Sequence, residues 1–136
     1  AAKAVAALNE GMSKGVVTDS YDNLKLLGDS SYVADKPADA ISAYKKGMGK
    51  ASDGEAAIRA GQLLISEGKN AEAKTLIQQG IDKGVQHKGT AYMLLAEACR
   101  GLKDKQGAIA AMQKAAQDPQ TADKAKAWLK TAGAGK

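Results

Sequence analysis

A pattern of about 34 residues recurs along the chain and constrains its fold more than any other feature. Each copy reads Ala-x3-(large apolar)-x2-(Gly or Ala), and the leading alanines are 36, 33 and 35 residues apart. The copies are Ala4, Leu8, Gly11; Ala40, Tyr44, Gly47; Ala73, Ile77, Gly80; and Ala108, Met112, Ala115. Spacings of three, four and seven residues place each set on one face of a helix.

A second helix precedes each of the last three copies. Twelve residues before the leading alanine lies a small residue, Gly28, Gly61 or Ala96, with apolar neighbours at helical spacing. Short polar turns then separate the two helices, with glycine or proline where a helix ends or begins. The sequence therefore predicts helices near residues 3–14, 18–33, 37–50, 54–67, 70–83, 88–102, 105–117 and 119–132. Alanine is abundant and strand-forming residues are scattered, which favours an all-α fold.

These paired helices resemble the tetratricopeptide repeat (TPR), a helix-turn-helix unit. The resemblance implies a right-handed superhelix of antiparallel helix pairs in a single domain, 1–136, that is a fragment of a longer chain with further repeats upstream. The repeats would span 21–54, 54–88 and 89–122, after a half repeat at 3–14 and before a capping helix at 119–132. Ser31, Leu64 and Cys99 replace the usual aromatic residue of the first helix. The residues expected to pack helix against helix are Gly28, Ala40, Gly47, Gly61, Ala73, Gly80, Ala96, Ala108 and Ala115.

The charge of the chain argues against nucleic acid as a partner. The net charge is +5, but only Arg59 and Arg100 are arginines, the lysines are spread evenly and aromatic residues are few. Nucleic-acid binders concentrate arginine and stacking rings on one surface. No apolar run is long enough to span a bilayer, so this segment carries no predicted membrane span.

No grouping of residues for catalysis, a metal or a cofactor is recognisable. The single cysteine, Cys99, lies on the predicted core face, and one histidine, His87, cannot form a zinc site alone. Lys46 to Lys50 superficially resembles a phosphate loop, but Gly47 holds a packing position in the repeat. The sequence therefore predicts a protein that is not an enzyme and has no cofactor.

In a TPR array the first helix of each repeat lines a groove. The resemblance places Asp22, Lys25, Asp29, Tyr32, Glu55, Ile58, Gln62, Ile65, Thr90, Met93, Glu97 and Arg100 there. Chaperone-binding TPR domains hold a carboxylate with a Lys/Asn/Arg clamp, of which only Lys25 matches. Tyr32, Ile58, Ile65 and Met93 are instead predicted to form an apolar strip for a helix or extended peptide. In the alternative interpretation some of these residues only pack against a neighbouring repeat.

Trp128 in the predicted capping helix also has two interpretations. Tryptophan is enriched at binding hot spots, so Trp128 could anchor an interface. In the other interpretation it buries the capping helix against the last repeat. The second interpretation is preferred.

Three motifs carry a narrower resemblance, to the C-terminal part of bacterial TPR proteins associated with the TonB–ExbB–ExbD energy-transduction system. They are Ser52-Asp53-Gly54-Glu55, Lys83-Gly84-x3-Lys88-Gly89-x-Ala91 and Ala125-x2-Trp128-Leu129-Lys130. The resemblance implies a periplasmic protein that assists TonB-dependent transport by binding TonB, ExbB or ExbD, without catalytic residues.

Two functions are compatible with these patterns. The first is a non-catalytic scaffold that binds a protein or peptide partner. The second is self-association through exposed ends of the array, since Val5, Leu8 and Met12 of the half repeat would lack part of their covering.

Overall fold

The computed structural model describes residues 21–49 and 53–134, and the regular structure within these ranges is entirely helical. The described helices are α1 (Tyr21–Val33), α2 (Pro37–Met48), α3 (Glu55–Ser66), α4 (Asn70–Lys83), α5 (Lys88–Gly101), α6 (Lys105–Ala115) and α7 (Ala122–Ala134). The predicted half repeat at 3–14 lies outside the described residues.

Helices α2 to α6 begin within one residue of their predicted positions, whereas α7 begins at Ala122 and not at 119. The reason is the connection that precedes it. The backbone N–H of Thr121 donates to the carbonyl oxygen of Asp118, and its hydroxyl donates to the carbonyl oxygen of Ala115 over 2.8 Å. These bonds close a turn between α6 and α7 and exclude residues 119–121 from the helix.

Neighbouring helices pack as three pairs, α1 with α2, α3 with α4 and α5 with α6. The pairs then stack in chain order, through α2 on α3 and α4 on α5, and α7 packs on α6. The first helices of the second and third pairs, α3 and α5, also touch each other. The main contacts therefore join elements that are close in sequence, as in a solenoid.

Small residues on the first helix of a pair receive large residues from the second. A Cβ atom added at Gly28 would lie 2.5 Å from the ring of Tyr44, and one added at Gly61 would lie 2.4 Å from Cγ1 of Ile77. Real Cβ atoms do not approach so closely, so glycine is required for this helix spacing. All nine residues that the sequence assigned to helix packing are buried, as are the aromatic replacements Ser31, Leu64 and Cys99.

The turn inside each pair repeats the same hydrogen bonds. Asp35, Gly68 and Lys103 have φ values of 59°, 77° and 60°, and each follows the end of a first helix. Their N–H groups donate to the residue three positions earlier, and the following N–H donates five positions back. This is the Schellman arrangement, which satisfies the free carbonyl groups at a helix end and favours glycine at the left-handed position.

Only one of the three repeats has glycine at this position, so Lys103→Gly is expected to stabilise the protein by about 0.5–1 kcal/mol, because a lysine side chain crowds the left-handed backbone. Asp35→Gly should gain less, since aspartate tolerates this conformation better. Urea denaturation of both variants measures the effect. A loss of stability in Lys103→Gly would contradict the strain that its φ value indicates.

Candidate protein-interaction surface

The first helices α1, α3 and α5, together with α7, form what we call the inner face. Helices α3 and α5 touch directly, and cavities bridge α1 to α3 and α5 to α7. The residues predicted to line a groove lie on these first helices, except that the side chain of Asp22 is outside the described part of the chain. Five of them line one of two cavities on this face: Tyr32, Gln62, Thr90, Met93 and Glu97.

The first inner cavity has a volume of about 250 Å³ and lies between α1 and α3. Two predicted groove residues, Tyr32 and Gln62, line it, and Tyr32 is 61% exposed. The remaining lining residues are Tyr44, Arg59, Leu63 and Ser66. This cavity therefore offers aromatic rings, a guanidinium group and hydroxyl groups to a ligand.

Asp29 organises the charged groups beside this cavity. Its carboxylate accepts hydrogen bonds from Lys25 at 2.9 Å and from the hydroxyl of Tyr44, and lies 3.4 Å from the guanidinium of Arg59. Burial by itself would raise the pKa of Asp29, but the bonds from Lys25 and Tyr44 and the two positive charges lower it below the usual 3.8. Burial and the bond to Asp29 raise the pKa of Tyr44 well above its usual value. Lys25 is thus engaged by a carboxylate of the chain itself.

The depressed pKa of Asp29 predicts an acid-sensitive contribution to stability. A carboxylate with a lowered folded-state pKa stabilises the fold above its unfolded pKa, near 4, and this stability is lost as the pH falls through the folded-state pKa. Asp29→Asn should therefore be less stable than the unmodified protein at pH 7, and the difference should shrink in acid. Urea midpoints measured from pH 7 down to strongly acidic pH test this. A difference that stays constant with pH would show that the ionised carboxylate is not responsible.

The second inner cavity, of about 510 Å³, lies between α5 and α7. The predicted groove residues Thr90, Met93 and Glu97 line it from α5, and Trp128 and Lys124 line it from α7. Met93 and Trp128 are both half-buried and pack against the core. The cavity thus combines an apolar surface with one acidic and one basic side chain, which suits an amphipathic peptide.

Other predicted groove residues lie away from both cavities. The Cδ1 atom of Ile58 lies 3.0 Å from where a Cβ of Gly80 would be, so this side chain packs against α4. Ile65 is half-buried against the core. Arg100 is exposed, pairs with Glu97 at 3.3 Å and lines a different cavity at the end of the array.

Ten lining residues of these cavities were not among the predicted groove positions, Tyr44, Arg59 and Trp128 among them. Tyr44 was assigned to the repeat pattern and Arg59 to the general positive charge, yet both residues line the first inner cavity. Trp128, the only tryptophan, was assigned to the cap and lines the second. Arg59 directly follows the predicted groove residue Ile58, which is the one signal that could have indicated it. Helical periodicity gives no information on how Tyr44, on a second helix, reaches a cavity between two first helices.

The other candidate reactive side chains do not form a cluster within the part of the chain that the structure describes. Cys99 is 2% exposed, as predicted for a core residue, and burial raises the pKa of its thiol. His87 is exposed, with Nδ1 3.1 Å from Oε1 of Gln120. Among the described residues no cluster of three potential metal ligands occurs. Within the same ranges, no helix has both the length and the apolar character to cross a membrane.

Comparison with known proteins agrees with the helix-pair architecture. Residues 58–123 match the family model described as tetratricopeptide repeat. The crystal structure of MamA protein superposes with a TM-score of 0.73 at 19% sequence identity, over 83% of this chain and 61% of the MamA chain. This chain therefore spans less than two thirds of MamA, and the likeness shows the fold alone. No curated protein matches the sequence. The fold is all-α and of the TPR type.

Proposed function

We propose that this protein is a non-catalytic scaffold whose inner face binds an amphipathic peptide or helix of a partner protein. The observation that carries the proposal is the pair of open cavities along the first helices of the repeats. TPR-type folds present this face to protein partners, and here it combines half-buried apolar side chains with charged groups. No reacting pair of side chains accompanies the cavities among the described residues.

Affinity capture of the tagged protein from a crosslinked extract of its host, read by mass spectrometry, tests the proposal when paired with surface variants. Tyr32→Ala with Met93→Glu alters one exposed or half-buried residue in each inner cavity and should abolish capture of the partner. The combination Ile65→Lys with Met93→Glu is less suitable, because Ile65 lines neither inner cavity.

The matched control is Val33→Ala with Gln113→Glu. Val33 is 73% exposed beside Tyr32 but lines neither inner cavity, and Gln113 is exposed on α6. The control should retain the partner, and circular dichroism should show equal helicity in all variants. Equal capture by the Tyr32/Met93 variant would place binding elsewhere on the molecule.

A narrower part of the proposal names the partner as TonB, ExbB or ExbD and the compartment as the periplasm. Its support is the three sequence motifs, and one of their residues also has a packing role. A Cβ at Gly89 would lie 2.0 Å from Oγ1 of Thr121, so glycine is needed for the approach of α5 to the turn before α7. Recovery of TonB, ExbB or ExbD peptides that are lost with the Tyr32/Met93 variant is the expected result. Capture of unrelated proteins alone would remove this assignment.

Self-association is the second candidate function. Its motivation is the predicted half repeat, which lies outside the described residues. Light scattering across a concentration series separates it from the scaffold function, because a monomer at all concentrations would exclude it for this chain.

A further inference from the structure

A third cavity lies beside α7, the last of the described helices. We call it the end cavity. Its volume is about 580 Å³, and it is an open cavity lined by the α5–α6 turn, the start of α6 and the second half of α7. Three of its lining residues are basic, Arg100, Lys103 and Lys105. The rest are alanines, one threonine and Trp128, and no lining residue is acidic.

The positive charge of this cavity is poorly compensated. Asp104 stands between the two lysines, but its carboxylate accepts a hydrogen bond from the N–H of Gly107 at 3.0 Å and pairs with Lys74 at 3.5 Å. Among the ion pairs of the described residues, none involves Lys103 or Lys105, and Arg100 has only its exposed contact with Glu97. The cavity therefore favours an occupant that carries carboxylates.

An earlier part of the array shows what fills the equivalent space, which there lies between α2 and α3. There α4 packs on α3, with Ile77 against Gly61. The same helix places Glu72 in an ion pair with Lys45 of α2. A helix with an apolar face and a carboxylate thus occupies the position that is open between α6 and α7.

We infer that the end cavity binds an amphipathic, acidic helix from a partner protein, which packs beside α7 as α4 packs beside α3. A large apolar side chain of that helix contacts Trp128, and its carboxylates pair with Lys103 and Lys105. The lining of this site shares only Trp128 with the proposed peptide site on the inner face. Trp128 lines both the end cavity and the second inner cavity, so its ring reports on either.

The experiment uses Trp128 fluorescence, since this is the only tryptophan of the chain. The probe is a synthetic helical peptide of the length of α4, with leucines on one face and glutamates on the other. Titration should give a saturable blue shift as the ring loses water. A peptide with lysines in place of the glutamates should not bind, and added salt should weaken the acidic peptide.

Charge reversal assigns the site. Lys103→Glu with Lys105→Glu should weaken the acidic peptide at least about tenfold, because two attractive pairs become repulsive. Both lysines are exposed, and a glutamate at the first residue of α6 is compatible with the helix. The matched control, Lys36→Glu with Lys69→Glu, makes the same change at the turns of the earlier repeats and should leave the affinity unchanged.

A further variant separates this site from the inner face. Met93 lines the second inner cavity and not the end cavity, so Met93→Glu should leave binding of the acidic peptide intact. Absence of any shift, equal binding of the lysine peptide, or equal binding to the Lys103/Lys105 variant would each overturn the inference. Loss of binding with Met93→Glu alone would do so as well, by moving the probe to the inner face.

Discussion

Gly54→Ala is expected to destabilise the protein by about 3 kcal/mol, because the added methyl group collides with backbone. A Cβ atom at Gly54 would lie 1.9 Å from the carbonyl oxygen of Gly80 on α4. Backbone cannot rotate away as a side chain can, so α3 and α4 would have to separate. The N–H of Gly54 also donates to the carbonyl oxygen of Gly84 over 2.8 Å, and this bond would be strained by the same shift.

The matched control for this substitution is Gly49→Ala. Nothing lies within 4 Å of a Cβ at Gly49, and its φ of −71° suits alanine. This variant should be neutral or slightly stabilising. Urea denaturation of both variants, followed by circular dichroism, compares them. Equal stability would mean that the contact between Gly54 and Gly80 is not a constraint on the fold.

Tyr44→Ala is expected to cost about 3–5 kcal/mol, the usual range for removing a buried aromatic side chain. The ring of Tyr44 is almost fully buried and fills the space left by Gly28. Its hydroxyl also donates to Asp29, which connects helix packing to the charged groups of the first inner cavity. One residue therefore stabilises both the first helix pair and the inner face.

Tyr44→Phe separates the two contributions. It keeps the ring and removes the hydrogen bond, for an expected loss of about 1.5–3 kcal/mol, since the bond is to a charged group. Tyr32→Ala is the control on the neighbouring helix and should change the free energy of unfolding little, because Tyr32 is exposed. A Tyr44→Phe variant as unstable as Tyr44→Ala would contradict the assignment of most of the energy to the ring.

The repeat pattern predicted the fold because the same residues that define the pattern also make the closest contacts. Gly28 and Tyr44, or Gly61 and Ile77, recur at fixed spacing, and these pairs set the distance between helices. The start of α7 could not be predicted from periodicity. It depends on the hydroxyl of Thr121 reaching the carbonyl group of Ala115, which is a tertiary feature of one connection.

The proposed interaction surface was less predictable than the fold. Repeat position predicted that Met93 and Tyr32 lie on the inner face, and each of them lines a cavity there. It gave no indication that Asp29 would bind Lys25 and Tyr44, because those contacts depend on side-chain conformations across two helices. It also gave no indication of the end cavity, which arises only where the α5–α6 turn meets the second half of α7.

Packing mainly between neighbours in sequence has a mechanical consequence. A chain pulled from its two ends need not break all its contacts at once, since the contacts across each pair-to-pair boundary are separate from the others. The molecule should yield in successive steps, each releasing one unit of about 34 residues, or roughly 110–120 Å of extended chain. A load applied by a bound partner should therefore unfold the array one unit at a time and not all at once.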